Sequence, residues 1–304
     1  PEGYTTTIAG SGSQGSSNGV GTAASFKEVL GIDLTSDEQY AVLADHNDHC
    51  IRKIHMATGT VTTLAGQCGS SGNVDGTGTS VKFSYPSDIA ISPDDTVVYV
   101  LERNGFRVRK MTVDDWTGEE NGVVTAFASG IATSVYNLEY HPDGYLVVPY
   151  SGDNGGPNLY QTISLTGTVT TVTGSSKPYG TGTWFMTVTP DGRLLFNFPS
   201  NNKGKIYEYV PSTDTWHTRL DLSSYSPGWY GIEAFDDDIL IMEAYPWQSG
   251  FHGVIKVDMT TTPWTVSEVA GYSSAGYADS PGTVQFDKFY LWEWVVILSL
   301  FGTT

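Results

Sequence analysis

Three acidic residues stand at matching places in short apolar segments. They are Asp33 in Gly31-Ile32-Asp33, Glu139 in Asn137-Leu138-Glu139 and Glu233 in Gly231-Ile232-Glu233. Asp88 and Asn137 fall two residues before that level in the same alignment. Oxygen atoms converging on a common axis could hold Ca²⁺; the alternative is a hydrated acidic channel. Two cysteines, Cys50 and Cys68, could form a disulfide or remain two free thiols. His46, His49 and His55 are ligand-type residues, but the first two sit in one loop and the third at the far end of the next strand. A histidine metal site is therefore not expected.

Other chemistry lacks its signature. The sequence has no Gly-x-Ser-x-Gly elbow, no phosphate-binding loop, no Cys-x-x-Cys pair and no His-Glu-x-x-His motif. The Gly-rich stretches at 10–21 and 66–78 open no helix, so phosphate cradling is not implied.

The elements that must position these residues come from internal repetition. Thr6-Thr7-Ile8-Ala9-Gly10 returns as Thr62-Thr63-Leu64-Ala65-Gly66. Tyr40–Asp45 (YAVLAD) returns as Val97–Glu102 (VVYVLE), and Cys50-Ile51-Arg52-Lys53-Ile54 as Arg107-Val108-Arg109-Lys110-Met111. Val269-Ala270-Gly271 with Gly276-Tyr277-Ala278-Asp279 starts the unit again. Between these lie weaker units, each with apolar runs around a turn such as His141-Pro142-Asp143-Gly144, Thr189-Pro190-Asp191-Gly192 or Asp236-Asp237-Asp238. Pro presets φ for such turns, and Asp and Gly suit their remaining positions. Each unit reads as four short antiparallel strands, a to d, which is one blade of a propeller.

The pattern resembles the NHL-repeat family: a Thr-rich "TLAG" strand, a Gly- and Asp-rich loop, "LYVAD", then "N-x-x-IRKI". The match is close over residues 5–115, rests on period and turn chemistry over 122–265, and returns over 266–286. The resemblance implies an all-β protein, a β-propeller of about six four-stranded blades forming a single domain over 1–304. The blades are expected at about 29–66, 86–128, 135–173, 183–222 and 229–271, with a composite last blade from 286–304 plus the N-terminal strand 4–10. Family members carry an acid at the end of strand b near an arginine in strand c. Here that pairs Asp45 with Arg52 and Glu102 with Arg109, read as structural cross-strand pairs. The sequence departs from the family after Phe286, where no "DG" turn and no "IRKI" strand follow. Propeller hydrolases and lyases of the gluconolactonase and paraoxonase kind use a central calcium site. That makes Asp33, Glu139 and Glu233 the candidate ligands, in blades one, three and five.

A c–d hairpin turning near Ala57–Thr60 would place Cys50 and Cys68 nearly opposite each other, because 50 + 68 = 118 lies within the index sum of 117–118 expected for facing residues. The disulfide is the expected outcome, and with it a secreted or extracellular setting. Strand alternation puts the d–a and b–c loops, the long ones, on one face. Loops on a rigid scaffold carry function. Tyr85, Tyr136, Trp184, Trp229, Tyr230 and Trp247 belong to that face. They could anchor a protein or glycan partner, or self-assembly, unless they only fill gaps between blades.

Charge narrows the partners. With 15 basic and 33 acidic residues the net charge is −18, which opposes nucleic-acid binding and anionic membrane surfaces. The longest apolar run, Phe289–Phe301, carries Glu293 and is too short to cross a bilayer, so no membrane insertion is expected. The chain starts at Pro1 instead of Met, as expected if an upstream segment has been removed. The expected function is a non-catalytic extracellular binding or assembly module. The alternative is a calcium-dependent propeller hydrolase or lyase.

Overall fold

The computed structural model describes residues 7–132, 137–150, 157–174, 185–197, 205–221, 228–234, 239–245 and 252–272. Among them, five antiparallel sheets follow one another along the chain. The first holds β1 (Gly19–Val20), β2 (Val29–Leu34), β3 (Tyr40–Asp45), β4 (Cys50–His55) and β5 (Thr60–Ala65). The second repeats it with β6 (Gly76–Thr77), β7 (Pro86–Ile91), β8 (Val97–Glu102), β9 (Arg107–Thr112) and β10 (Val123–Ser129). The third comprises β11 (Glu139–His141), β12 (Tyr145–Pro149), β13 (Asn158–Ser164) and β14 (Val169–Thr173). The fourth comprises β15 (Phe185–Val188), β16 (Leu194–Asn197), β17 (Lys205–Val210) and β18 (Thr215–Asp221). The fifth comprises β19 (Gly228–Ala234), β20 (Ile239–Tyr245), β21 (His252–Asp258) and β22 (Thr265–Tyr272).

The first full strand of each sheet packs on that of the next: β2 on β7, β7 on β11, β11 on β15 and β15 on β19. This successive contact makes the arrangement radial, with those strands innermost. Alternation along each strand sends apolar side chains to both faces of a blade, so the core lies between blades. Val42, Ile51, Leu64, Phe83, Val100 and Met111 fill the first junction. Leu101, Val108, Leu138, Leu146 and Ile163 fill the second. Each such side chain contributes roughly 1.5–3 kcal/mol when fully buried.

The a–b turns follow the sequence chemistry. Asp94 accepts hydrogen bonds from the Ser92 hydroxyl (2.6 Å) and the Thr96 amide (3.2 Å). Asp37 does the same for Thr35 (2.7 Å) and Gln39 (3.0 Å). The left-handed residue of this turn is Gly144 or Gly192 in blades three and four, but Glu38 or Asp95 in blades one and two. Aspartate tolerates that conformation better than most side chains.

Two expectations change. The Gly-rich loops do not stay on one face: each sends a dipeptide, β1 or β6, along the outer edge as a fifth strand, pairing Gly19 with Val61 and Val123 with Thr77. The c–d hairpin of blade one also has a different register. Lys53 faces Thr62 and Ile51 faces Ala65, sums of 115 and 116, because the turn lies at 56–59 and a bulge follows Ile51. Extending that register puts Gly66 opposite Cys50. A Cβ on Gly66 would lie 2.8 Å from the Cys50 Cα, and its φ of +99° turns the chain back. Cys68 then reaches Cys50 with the Cα atoms 5.1 Å apart, and the disulfide is formed.

The proposed composite blade falls largely outside the described residues. Its end at residues 7–10 is described, and it repeats a contact made within the ring. The Gly10 amide donates to Gly21 (3.1 Å), as Gly66 does to Gly78 (3.0 Å). Gly21 in turn donates to Gly59 (2.9 Å), as Gly78 does to Gly122 (3.0 Å). Ile8 and Ala9 pack on the open face of blade one with Phe26. Residues 8–10 thus meet blade one as the end of β5 meets blade two.

Candidate functional site

The innermost strands enclose a cavity of about 390 Å³ lined by Asp33, Asp88, Asn137, Glu139 and the turn prolines Pro93 and Pro142, among others. The prolines place its mouth at the a–b turns, the face opposite the long loops. Asp33 and Glu139 therefore share one cavity with Asp88 and Asn137. The backbone of Glu233 is paired with Ile241 in β19, and its side chain lies outside the described residues.

The polar side chains of these two levels tie neighbouring blades together. Asp33 accepts from the Ile91 amide of blade two (2.7 Å) and from Leu34 (2.7 Å). Asp88 accepts from Leu138 of blade three (2.7 Å). The Asn137 carbonyl oxygen accepts from Met186 of blade four (3.2 Å) and the Thr187 hydroxyl from Ala234 of blade five (3.0 Å). One side chain per blade thus satisfies a backbone donor of the next, which an inner strand could not otherwise pair. Gly31 permits the approach: a Cβ there would lie 2.5 Å from the Asp88 Cα.

Burial raises both carboxyls. Asp33 is pushed up to about 6, opposed by its two amide donors. Asp88 reaches about 8, with the Asp33 charge adding to the effect of burial. Asn137 donates to Glu139 (3.1 Å) and, more distantly, to Asp88 (3.4 Å). Among the described residues no three carboxylates converge as metal ligands. The grouping that does form, Asp48 with Cys50 and Cys68, has its sulfurs committed to the disulfide.

The acid–arginine pairs organise the Gly-rich loops. Arg52 and Asp45 are buried 3.6 Å apart. The Arg52 guanidinium also donates to the carbonyls of Ser25 (3.1 Å) and Ser17 (3.0 Å) and to Asn18 (2.8 Å). Asp45 accepts from the amides of Lys27 (3.1 Å) and Glu28 (3.0 Å). Blade two repeats this: Arg109 lies 3.6 Å from Glu102 and binds Asp75 and the Val74 carbonyl, while Arg107 also pairs with Glu102. The arginines stack over Phe26 and Phe83, 5.2 and 5.6 Å from the ring centroids. The acid thus caps the strand entry and the arginine fastens the loop.

On the loop face, Tyr85 sits between two imidazoles with a left-handed φ of 54°. Its ring centroid is 5.1 Å from His46 and 4.4 Å from His49. Trp229 and Tyr230 lie on β19. Tyr136, Trp184 and Trp247 lie outside the described residues. The histidines were set aside in the sequence as loop residues; their convergence on Tyr85 comes from the neighbouring blade and leaves no local signal.

No family model matches the chain. A 103-residue stretch, 34% of the chain, is 25% identical to NHL repeat-containing protein 2 of Bos taurus, and the chain spans about one seventh (14%) of that relative's length. A solved structure of a protein of unknown function from Bacteroides thetaiotaomicron superposes with a TM-score of 0.66 at 16% identity, covering 93% of this chain and 68% of that one. The fold is an NHL-type β-propeller. Other solved neighbours of this propeller are virginiamycin B lyase from Staphylococcus aureus (TM-score 0.54, 16% identity, 80% and 70% covered) and a chain of a nidogen/laminin complex (0.58, 12%, 83% and 82%). At these identities the neighbours show the fold alone, since unrelated functions share it.

Proposed function

We propose that this propeller is an extracellular, non-catalytic binding or assembly module that engages a protein or glycan through its long-loop face. One observation carries the reading. The polar side chains of the inner strands are engaged in holding blades together, while the loop face presents an aromatic residue flanked by two imidazoles. The disulfide supports an oxidising setting. A ring of six blades, the last built from 286–304 and closed by 4–10, completes the module; the matched contacts of Gly10 and Gly66 support it. Protein and glycan arrays probed with the intact chain and with Tyr85→Ala and Trp229→Ala test the reading. Signals lost in those variants and kept in Asp143→Ala, at the opposite face, support it. Signals lost only in Asp143→Ala would overturn it.

The second reading is a calcium-dependent hydrolase or lyase, and it rests on Asp33, Asp88, Asn137 and Glu139 lining one cavity. Calcium would be held by Asp33 and Glu139 with Glu233. A calcium-induced rise in melting temperature, abolished in Glu139→Ala or Glu233→Ala, supports it. An equal response in both variants rules the site out.

A further inference from the structure

The loop of blade one and the same loop of blade two share a backbone but differ in chemistry. His49 and Phe106, 57 residues apart, both take a left-handed conformation, with φ of 58° and 48°. The His46 amide donates to Glu28 (2.6 Å) as Arg103 does to Tyr85 (3.1 Å). The loop is thus a standard part of the repeat, and only its side chains are particular to blade one.

Hydrogen bonding sets the proton positions on both imidazoles. Nδ1 of His46 faces the Pro86 carbonyl (3.0 Å), an acceptor, so Nδ1 carries the proton and Nε2 a lone pair. Nδ1 of His49 accepts the Tyr85 amide (3.3 Å), so its proton lies on Nε2. Neither Nε2 has a protein partner among the described residues, and neither is a buried unpaired atom; the two residues are 5% and 8% exposed. Burial, with the Arg103 charge nearby, keeps His46 neutral, its pKa pushed down to about 4. His49 is also lowered by burial.

A divalent metal does not fit, because His49 could ligate through Nε2 only by releasing that proton. An anion alone does not fit either: the His46 lone pair repels it, as does the net charge of −18. What fits is a neutral group that donates and accepts beside an aromatic ring. A sugar hydroxyl does both, and the sequence places aromatics before strand a in successive blades, at Tyr85, Tyr136 and Trp184.

We infer that His46, His49 and Tyr85 form a carbohydrate-binding subsite, with a hydroxyl donating to His46 Nε2, another accepting from His49 Nε2–H and the sugar ring against Tyr85. This rests on the loop-face reading above and adds its ligand class.

The test is proton–nitrogen NMR of the intact chain titrated with neutral methyl pyranosides of the glucose, galactose, mannose and N-acetylglucosamine series. The expected result is the two opposite tautomers and saturable shifts of both histidine ring signals. Affinity should fall at least about tenfold, near 1.4 kcal/mol, in His46→Phe and Tyr85→Ala. If those variants fail to fold, carbethoxylation of His46 in the unmodified chain serves instead: glycoside should protect it. Intact tautomers with no shift from any glycoside would overturn the subsite and leave the loop-face reading standing. Shifts produced by tetra-alanine and not by glycosides would reassign the site to peptide. Zinc binding with loss of the His49 N–H signal would overturn the tautomer argument.

Discussion

Blades one and two share their four-strand plan with blades three and four but hold their loops by different means. In the first two, residues preceding strand a run to the outer rim and back, at 11–28 and 66–85. A buried arginine beneath each loop satisfies several carbonyls at once. In blade three the connection is only 130–138, and Gln161 takes the arginine's place: it faces Val148 as Arg109 faces Val100. Gln161 accepts from the Ala132 amide (2.6 Å) and donates to the Gly130 carbonyl (3.2 Å). In blade four a tyrosine, Tyr207, holds the position and faces Phe196. The reach of the strand-c side chain thus follows the length of the loop. A short loop needs no charged anchor, and no acid need then be buried to balance one.

The largest expected effect tests that contrast. Arg52→Ala leaves Asp45 buried without its cation and frees three loop acceptors, and should cost about 3–5 kcal/mol in denaturant unfolding. Gln161→Ala removes neutral hydrogen bonds and should cost about 1–3 kcal/mol. Equal losses would break the contrast between the two loop types.

The disulfide gives the next largest effect, because it closes the long loop onto blade one. Cys68→Ser should cost about 3 kcal/mol on the chain-entropy estimate. Hydrogen exchange should rise at Gln67–Ser70 and remain unchanged in blade three. A stability loss spread evenly over the ring would contradict a local clasp.

Gly31→Ala tests the tie between inner strands and should cost roughly 1–3 kcal/mol, since the new methyl meets the Asp88 backbone. Gly130→Ala, with nothing within 4 Å, should cost less and only through its φ of +80°. A reversed order would show that the inner strands can separate.

Asp88→Asn should have the smallest effect at low pH and the opposite sign. The carboxyl of Asp88 is raised to about 8 from 3.8, so the folded state binds its proton more tightly than the unfolded chain. Its contribution is present at low pH and lost as pH rises from about 4 through 8. Asp33, Asn137 and Glu139 face it from the neighbouring inner strands and from β11. An asparagine keeps the acceptor for Leu138, as Asn137 does for Met186, without the charge. Melting temperatures at pH 5 should match the parent, and at pH 8 the variant should be the more stable. A parent melting temperature that climbs between pH 5 and 8 through this residue would refute the raised value.

The repeat spacing, the Asp-bearing turns and the acid–arginine pairs were legible in the sequence, because each depends on residues a fixed distance apart within one blade. The hairpin register of blade one was read one to three residues too far along, since the turn lies at 56–59, one residue before the expected Ala57–Thr60. The fifth edge strands were not foreseen: a Gly-Val or Gly-Thr dipeptide has no periodicity. Asp33 was read as a channel carboxylate and Asp88 as its near neighbour. Their ties to Ile91 and Leu138 join residues 58 and 50 positions apart and follow no motif.

By itself the sequence determined the all-β repeat, the blade order along the chain and which strand of each blade is innermost, because strand alternation and turn chemistry are local. The tertiary structure alone decided which blade's side chain meets which neighbour's backbone, that the inner carboxyls are shielded enough to be raised, and that two histidines of one blade close on a tyrosine of the next. These depend on the angle and distance between blades, which buried side chains from both sheets set together.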